Sequence, residues 1–195
     1  MQAIVSLVDP HASIYIQDLW SELASSFGLH GIYQTPFPHI SYHVAESYQD
    51  AWNDPVFRVM RQLAQHTHPF TVSSSGLGMF TGPGPVLYIP IVRTQALALL
   101  HQHIWEALEP YSHGAVQHYH PQAWLPHISL ALDDLDHKQL SQVILKFSSR
   151  SFTLEMKLNN LCMFIETSSG YEPRVCLDFE AEDDNGLVDP GVIAP

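Results

Sequence analysis

The sequence predicts an α+β protein of two related lobes, each an antiparallel sheet with helices on its outside, and a cleft between them. Three observations carry this expectation. Short apolar or alternating runs of strand length are interleaved with amphipathic helical segments. The order strand, helix, strand, helix, extended segment recurs in the second half of the chain. The four letters Pro-His-Ile-Ser occur twice, at 38–41 and at 126–129, in matching places of the two halves.

Taken in order, Ala3–Val8 is a short apolar run suited to a buried strand. Ser13 can cap a helix whose apolar face is Ile16, Leu19, Trp20, Leu23 and Phe27, and Gly28 stops it. Phe37–Ala45 alternates as a strand. Asp54-Pro55 opens a second helix with the stripe Val56, Met60, Leu63 and Ala64. Two extended segments follow, Phe70–Phe80 and Val86–Val92, joined by the turn-forming TGPGP. In the second half, Thr94 caps a helix with Leu97, Leu100, Ile104 and Leu108 on its face. Leu125–Leu132 is a strand, and Asp136 with Gln139 forms a capping box before Leu140, Val143, Ile144 and Phe147. Phe152–Glu166 and Val175–Phe179 close the plan. The repeat extends to letters: Phe70-Thr71 with Leu77, Met79 and Phe80 is echoed by Phe152-Thr153 with Leu161, Met163 and Phe164.

A chain of 195 residues with 46% hydrophobic residues can bury a sizeable core. Its formal charge of −12, with only eight Lys and Arg, argues against extended binding to a nucleic-acid backbone. A small anionic ligand is compatible, with neutral donors and histidines helping to hold it. Cys162 and Cys176 are expected to be buried free thiols in a reducing cytosol. MQAIVSLVDP has no basic leader and reads as a strand, which points to a cytoplasmic protein without a membrane span. Residues 1–181 form the folded unit, and the acidic 182–195 reads as a flexible tail.

In a strand, successive side chains point to opposite faces. His39, Ser41 and His43 therefore share one face of the first strand, opposite Ile40, Tyr42 and Val44. His127, Ser129 and Ala131 share a face of the second, opposite Ile128, Leu130 and Leu132. If the halves face each other, two His/Ser pairs converge on one cleft. Imidazole titrates near neutrality, so one ring can act as base while the other acts as acid. Serine hydroxyls can donate to the non-bridging oxygens of a phosphodiester. Composition alone gives roughly 0.3–0.4 such motifs in a chain with this many histidines, so two in matching strands point to function.

The paired His-apolar-Ser-apolar motif on a doubled α+β plan resembles the two-histidine phosphoesterase superfamily, and within it the LigT-like, 2′-5′ RNA ligase group. The resemblance covers roughly 1–181 and includes GLGMF, VLYIPI and LALLHQHIWEAL. It implies that His39 and His127 are catalytic and that Ser41 and Ser129 bind phosphate. Serine stands where the family more often has threonine; the hydroxyl is kept, with a less restricted χ1. The implied reactions are opening of 2′,3′-cyclic phosphates and cleavage or joining of 2′-5′ linkages, without a cofactor or metal. The implied ligand is a nucleotide or short RNA, and the protein is expected to be a monomer.

Other residues are weaker candidates. His43 is either a solvated or edge histidine or a substrate contact from the cleft face, and Tyr88 is either core or a phenolic contact. His118-Tyr119-His120 and His101 with His103 read as surface groups, not a metal site. SSSGLG at 73–78 lacks a phosphate-loop lysine and reads as a strand with a bulge. There is no GxSxG motif. Arg93, Lys157 and Arg174 are the cations available to a phosphate, none of them placed by a motif. The rival function is a non-catalytic nucleotide-binding module on the same fold.

Overall fold

The computed structural model describes residues 1–49 and 55–180. The acidic tail and the Asp54 end of the second helix lie outside the described residues. Among these residues the chain forms four α-helices and eleven short strands, in sheets that are antiparallel throughout. None of the helices is long and apolar enough to cross a membrane.

The first half runs β1 (Gln2–Leu7), α1 (Pro10–Phe27), β2 (His39–Ala45), β3 (Ser47–Tyr48), α2 (Pro55–Gln65), β4 (Phe70–Ser73) and β5 (Gly78–Phe80). The second runs β6 (Val86–Pro90), α3 (Gln95–Leu108), β7 (Ser112–His113), β8 (His127–Ala131), α4 (His137–Phe147), β9 (Glu155–Leu158), β10 (Asn160–Thr167) and β11 (Gly170–Asp178). Helix α1 starts earlier than a Ser13 cap predicts. Asp9 accepts from the Ala12 N–H at 3.1 Å and Pro10 fills the first turn, and a cap carboxylate followed by proline is the stronger start signal. Gly28 ends the helix in the left-handed conformation, φ 71°. Thr94 caps α3, and the Asp136–Gln139 capping box opens α4, as the sequence predicts.

The main sheet has the order β11-β10-β1-β2, and a second has the order β5-β6-β8. The pairs β4-β9 and β3-β7 complete the set among the described residues. Both long extended segments divide because the chain changes sheets. Phe152–Glu166 breaks at Asn159, where β9 has paired with β4 and β10 turns to β1. Phe70–Phe80 breaks likewise after β4, so SSSGLG is a crossover between strands with Gly76 at φ 112°. One continuous core joins these layers, from Ile4 and Ile16 to Leu158 and Phe179. The helices cross between halves: α1 packs against β8, and α3 packs against β2.

The cysteines are not free. Register pairs Cys162 of β10 with Cys176 of β11, their Cα atoms are 4.1 Å apart, and they form a disulfide. Read as two separate apolar strands they look like isolated thiols; the hairpin turn at Thr167–Gly170 brings them face to face. Closing a loop of 14 residues' separation should contribute about 3 kcal/mol to stability. Thiol titration of the unreduced, unfolded protein should find no reactive thiol. Reduction should lower the urea midpoint by a corresponding amount.

Candidate active site

Strands β2 and β8 both begin at their histidine, directly after a proline. Proline has no N–H to give the ladder, but its carbonyl still accepts. Pro38 O accepts from Val8 N–H at 3.2 Å and Pro126 O from Ile91 N–H at 2.9 Å. Each imidazole then folds back over its proline. His39 Nδ1–H donates to Phe37 O at 2.6 Å, and His127 Nδ1–H donates to Leu125 O at 2.7 Å. A carbonyl only accepts, so Nδ1 carries the hydrogen in both neutral rings and Nε2 is the basic atom.

Burial pushes the His39 ring down to about 4, opposed by its bond to Phe37 and reinforced by the charge of His127. Burial also lowers His127, and its bond to Leu125 opposes the shift. Desolvation disfavours the imidazolium in both. Each ring has an aromatic wall. His39 packs on Phe164, with ring centroids 5.2 Å apart; His127 packs on Phe80 and Tyr88, each at 5.1 Å. Phe80 and Phe164 end the two echoing L-x-MF stretches, so the repeat carried a signal for them that motif reading passes over. Tyr88 is nearly buried, and its ring lies over Gly78, where a Cβ would come within 2.4 Å of it. Only glycine leaves that room.

Two indoles pin the serines. Trp20 Nε1–H on α1 donates to Ser129 O at 3.0 Å, and Trp124 Nε1–H donates to Ser41 O at 2.9 Å. A cleft of about 660 Å³ opens beside His127 and Ser129, with Tyr119, Trp124 and Phe80 in its walls. His39 and Ser41 are not in that lining. They connect to it electrostatically: the Ser41 side chain opposes the burial that raises the Tyr119 phenol, and the charge of His127 acts on His39.

His43 leaves the row. A bulge places Ile4 opposite His43 and Val5 opposite Ser41, so one extra residue, Tyr42, is accommodated in β2. The bulge reverses strand parity beyond it. His43 is wholly buried, 2.7 Å from the Tyr48 hydroxyl through Nδ1 and packed at a tilt on Trp105, with ring centroids 4.6 Å apart. His101 is also buried and not a surface group. It shares the α3 stripe with Leu97, Ile104 and Leu108, and its Nε2–H reaches the carbonyls of Tyr42 at 3.1 Å and Tyr119 at 2.9 Å. His103 is exposed, and so is His118, which lines the cleft. Among the described residues, no group of three or more His, Cys, Asp or Glu could hold a metal ion. Arg93, Lys157 and Arg174 all stand outside the cleft lining.

Comparison with known proteins places these features in context. The model of the 2′-5′ RNA ligase superfamily matches residues 8–169. A Bacillus mycoides (strain KBAB4) protein named as a candidate phosphoesterase is 22% identical over 155 residues, covering 80% of this chain and 84% of that protein. The crystal structure of TT0787 of Thermus thermophilus shares the fold with a TM-score of 0.65 at 14% identity, covering 93% of this chain and 99% of the other.

Burial holds His43 and His101 down to about 4 in the folded protein, against about 6.5 unfolded. Between those values the unfolded chain binds more protons. Stability should therefore be constant with respect to these rings above about 6.5 and fall as pH drops towards 4. Urea midpoints measured across that window should show the loss. His43→Phe should remove up to one proton's share of the slope, about 1.4 kcal/mol per pH unit.

Proposed function

This chain belongs to the 2′-5′ RNA ligase superfamily, and from that premise we propose that it is a metal-independent phosphoesterase. Its substrate is a 2′,3′-cyclic phosphate or 2′-5′ phosphodiester of a nucleotide or short RNA. The observation that carries this reading is the matched lock on the two histidines: Nδ1 bound to the carbonyl two residues earlier, with Nε2 left as the basic atom. Support also comes from the recurrence of surroundings in the two halves. Each ring has a preceding proline, a phenylalanine wall and an indole-pinned serine two residues on. The molecule is accordingly read as two related units that exchange helices, with the site where β2 and β8 meet.

For a 2′,3′-cyclic phosphate, His39 is the base and His127 the acid. Burial holds the His39 ring neutral down to about 4, the form that can take a proton from water. The water oxygen forms a bond to phosphorus as its proton passes to His39 Nε2. The P–O3′ bond breaks, and His127 Nε2–H protonates the departing O3′, leaving a 2′-phosphate and a 3′-hydroxyl. Ser41 and Ser129 donate to the non-bridging oxygens, where negative charge concentrates. A second water-mediated proton exchange restores both rings.

Turnover of 2′,3′-cyclic nucleotides should persist in excess chelator. It should fall by about 10²–10⁴ in His39→Ala and in His127→Ala. Activity lost on chelation overturns the metal-free mechanism, and activity retained in both variants overturns the site. A wild type that binds the nucleotide without turning it over favours the binding module. The pH profile is a separate check. His39 must be neutral, so kcat/KM falls as pH drops through about 4. His127 must be protonated, so kcat/KM also falls as pH rises through a value below the ordinary 6.5.

A further inference from the structure

The cleft beside His127 is one-sided in its chemistry. Its apolar wall is open: Met79, Phe80 and Leu125 keep 46%, 39% and 43% of their surface exposed. Large apolar groups left open beside a polar site offer a platform for a planar group. The charged side is the reverse of what a phosphate-rich ligand needs. Among the described residues no lysine or arginine lines the cleft, and Asp133 is its single carboxylate. The lining groups able to become positive are the imidazoles of His118 and His127. Arg93 is not a lining residue; its guanidinium donates to the Pro121 carbonyl at 2.8 Å and lies 5.8 Å from the ring centroid of Trp124 in the cleft wall.

Asp133 is an exposed residue at the edge of the cleft, and the turn that carries it is anchored. It lies just past the end of β8 and is the one non-glycine residue with positive φ among the described residues, at 69°. Asp and Asn adopt that conformation at lower cost than other side chains. Its neighbour Asp134 anchors the turn, accepting from the His30 N–H and, at 2.7 Å, from the Gly31 N–H. The Asp133 charge also acts on the Tyr171 phenol of β11, adding a little to the rise that burial causes there.

We infer that this cleft selects substrates carrying a single phosphodiester charge, and that Asp133 is the specificity-determining residue that rejects a second phosphate. The inference rests on the phosphodiesterase reading and narrows its substrate class. A diester carries one negative charge, which imidazole and hydroxyl donors can match. A terminal phosphate adds about −1.5 to −2 at neutral pH, and no cation among the described lining residues offsets it. A nucleoside 2′,3′-cyclic phosphate is therefore accepted, and the same nucleoside with an added 5′-phosphate is disfavoured.

The test compares kcat/KM for that pair of substrates at pH 7 in wild type and Asp133→Asn. Asn keeps the shape, a carbonyl acceptor and the tolerance for positive φ, and removes only the charge. At about 10 mM salt, where charges act over about 30 Å, wild type should prefer the unphosphorylated substrate roughly five- to tenfold. The preference should shrink to about twofold or less in Asp133→Asn, and in wild type at 1 M salt, where the screening length is about 3 Å. Equal use of both substrates by wild type overturns the proposal. So does a preference unchanged in Asp133→Asn, or one that survives high salt and is therefore steric. If neither substrate is turned over, the phosphodiesterase reading has failed. The selectivity is then decided by calorimetric Kd values for the two intact nucleotides, with the same expected ratios and the same overturning results.

Discussion

Two indole N–H bonds tie the candidate active site together across the chain. Trp20, on the first helix, holds the Ser129 carbonyl of β8, and Trp124, just before β8, holds the Ser41 carbonyl of β2. Each of these strands hydrogen-bonds β1 or β6 along one edge, and the indoles occupy carbonyls that the ladder leaves available. Both tryptophans are buried at 2–3% exposure. The bonds are therefore made where an unpaired carbonyl would be costly to leave. The crossing of α1 onto β8 and α3 onto β2 follows from the same arrangement. Neither half can place its serine without a group from elsewhere in the chain.

The histidines differ in their surroundings by burial and partners, and on the proposed reading that difference separates structural rings from catalytic ones. His43 and His101 are buried among aromatic rings, and His101 spends its one N–H on two carbonyls that join β2 to the loop before β8. Neither lines the cleft. His39 and His127 are also desolvated, but their Nδ1 bonds stay within the strand entry and leave Nε2 as the basic atom. A ring locked at one nitrogen has a defined basic atom at the other. The difference lies in where the N–H goes.

The two faces of the main sheet are correspondingly distinct. Ile4, Ile40 and Ala45 face the large core, whereas Val5, Cys162 and Phe164 form a small separate cluster on the other face. Phe164 carries that cluster to His39, and Phe37 packs against it with ring centroids 5.8 Å apart. The disulfide between Cys162 and Cys176 thus belongs to the layer that supports the His39 wall. It ties β10 to β11 by a covalent bond next to that layer.

The sequence by itself determined the mixed helix-and-strand class of fold, the four helices in order, the caps of α3 and α4, and the strands that bear the paired His and Ser residues. These follow from local periodicity, from cap residues and from repetition, all of which act over a few residues. It could not settle what depends on register. A bulge at Tyr42 moved His43 from the expected row into the core, because one inserted residue reverses every later side chain. Pairing of β10 with β11 turned two apparently isolated cysteines into a disulfide. Breaks at Asn159 and after Ser73 arose where neighbouring segments found different partner strands. Tertiary structure also decided that Tyr119, Phe80 and Phe164 stand at the site, and that Asp133 is the one carboxylate among its described lining residues. Each of those assignments depends on which distant backbone a side chain meets, and short-range sequence pattern carries no record of that distance.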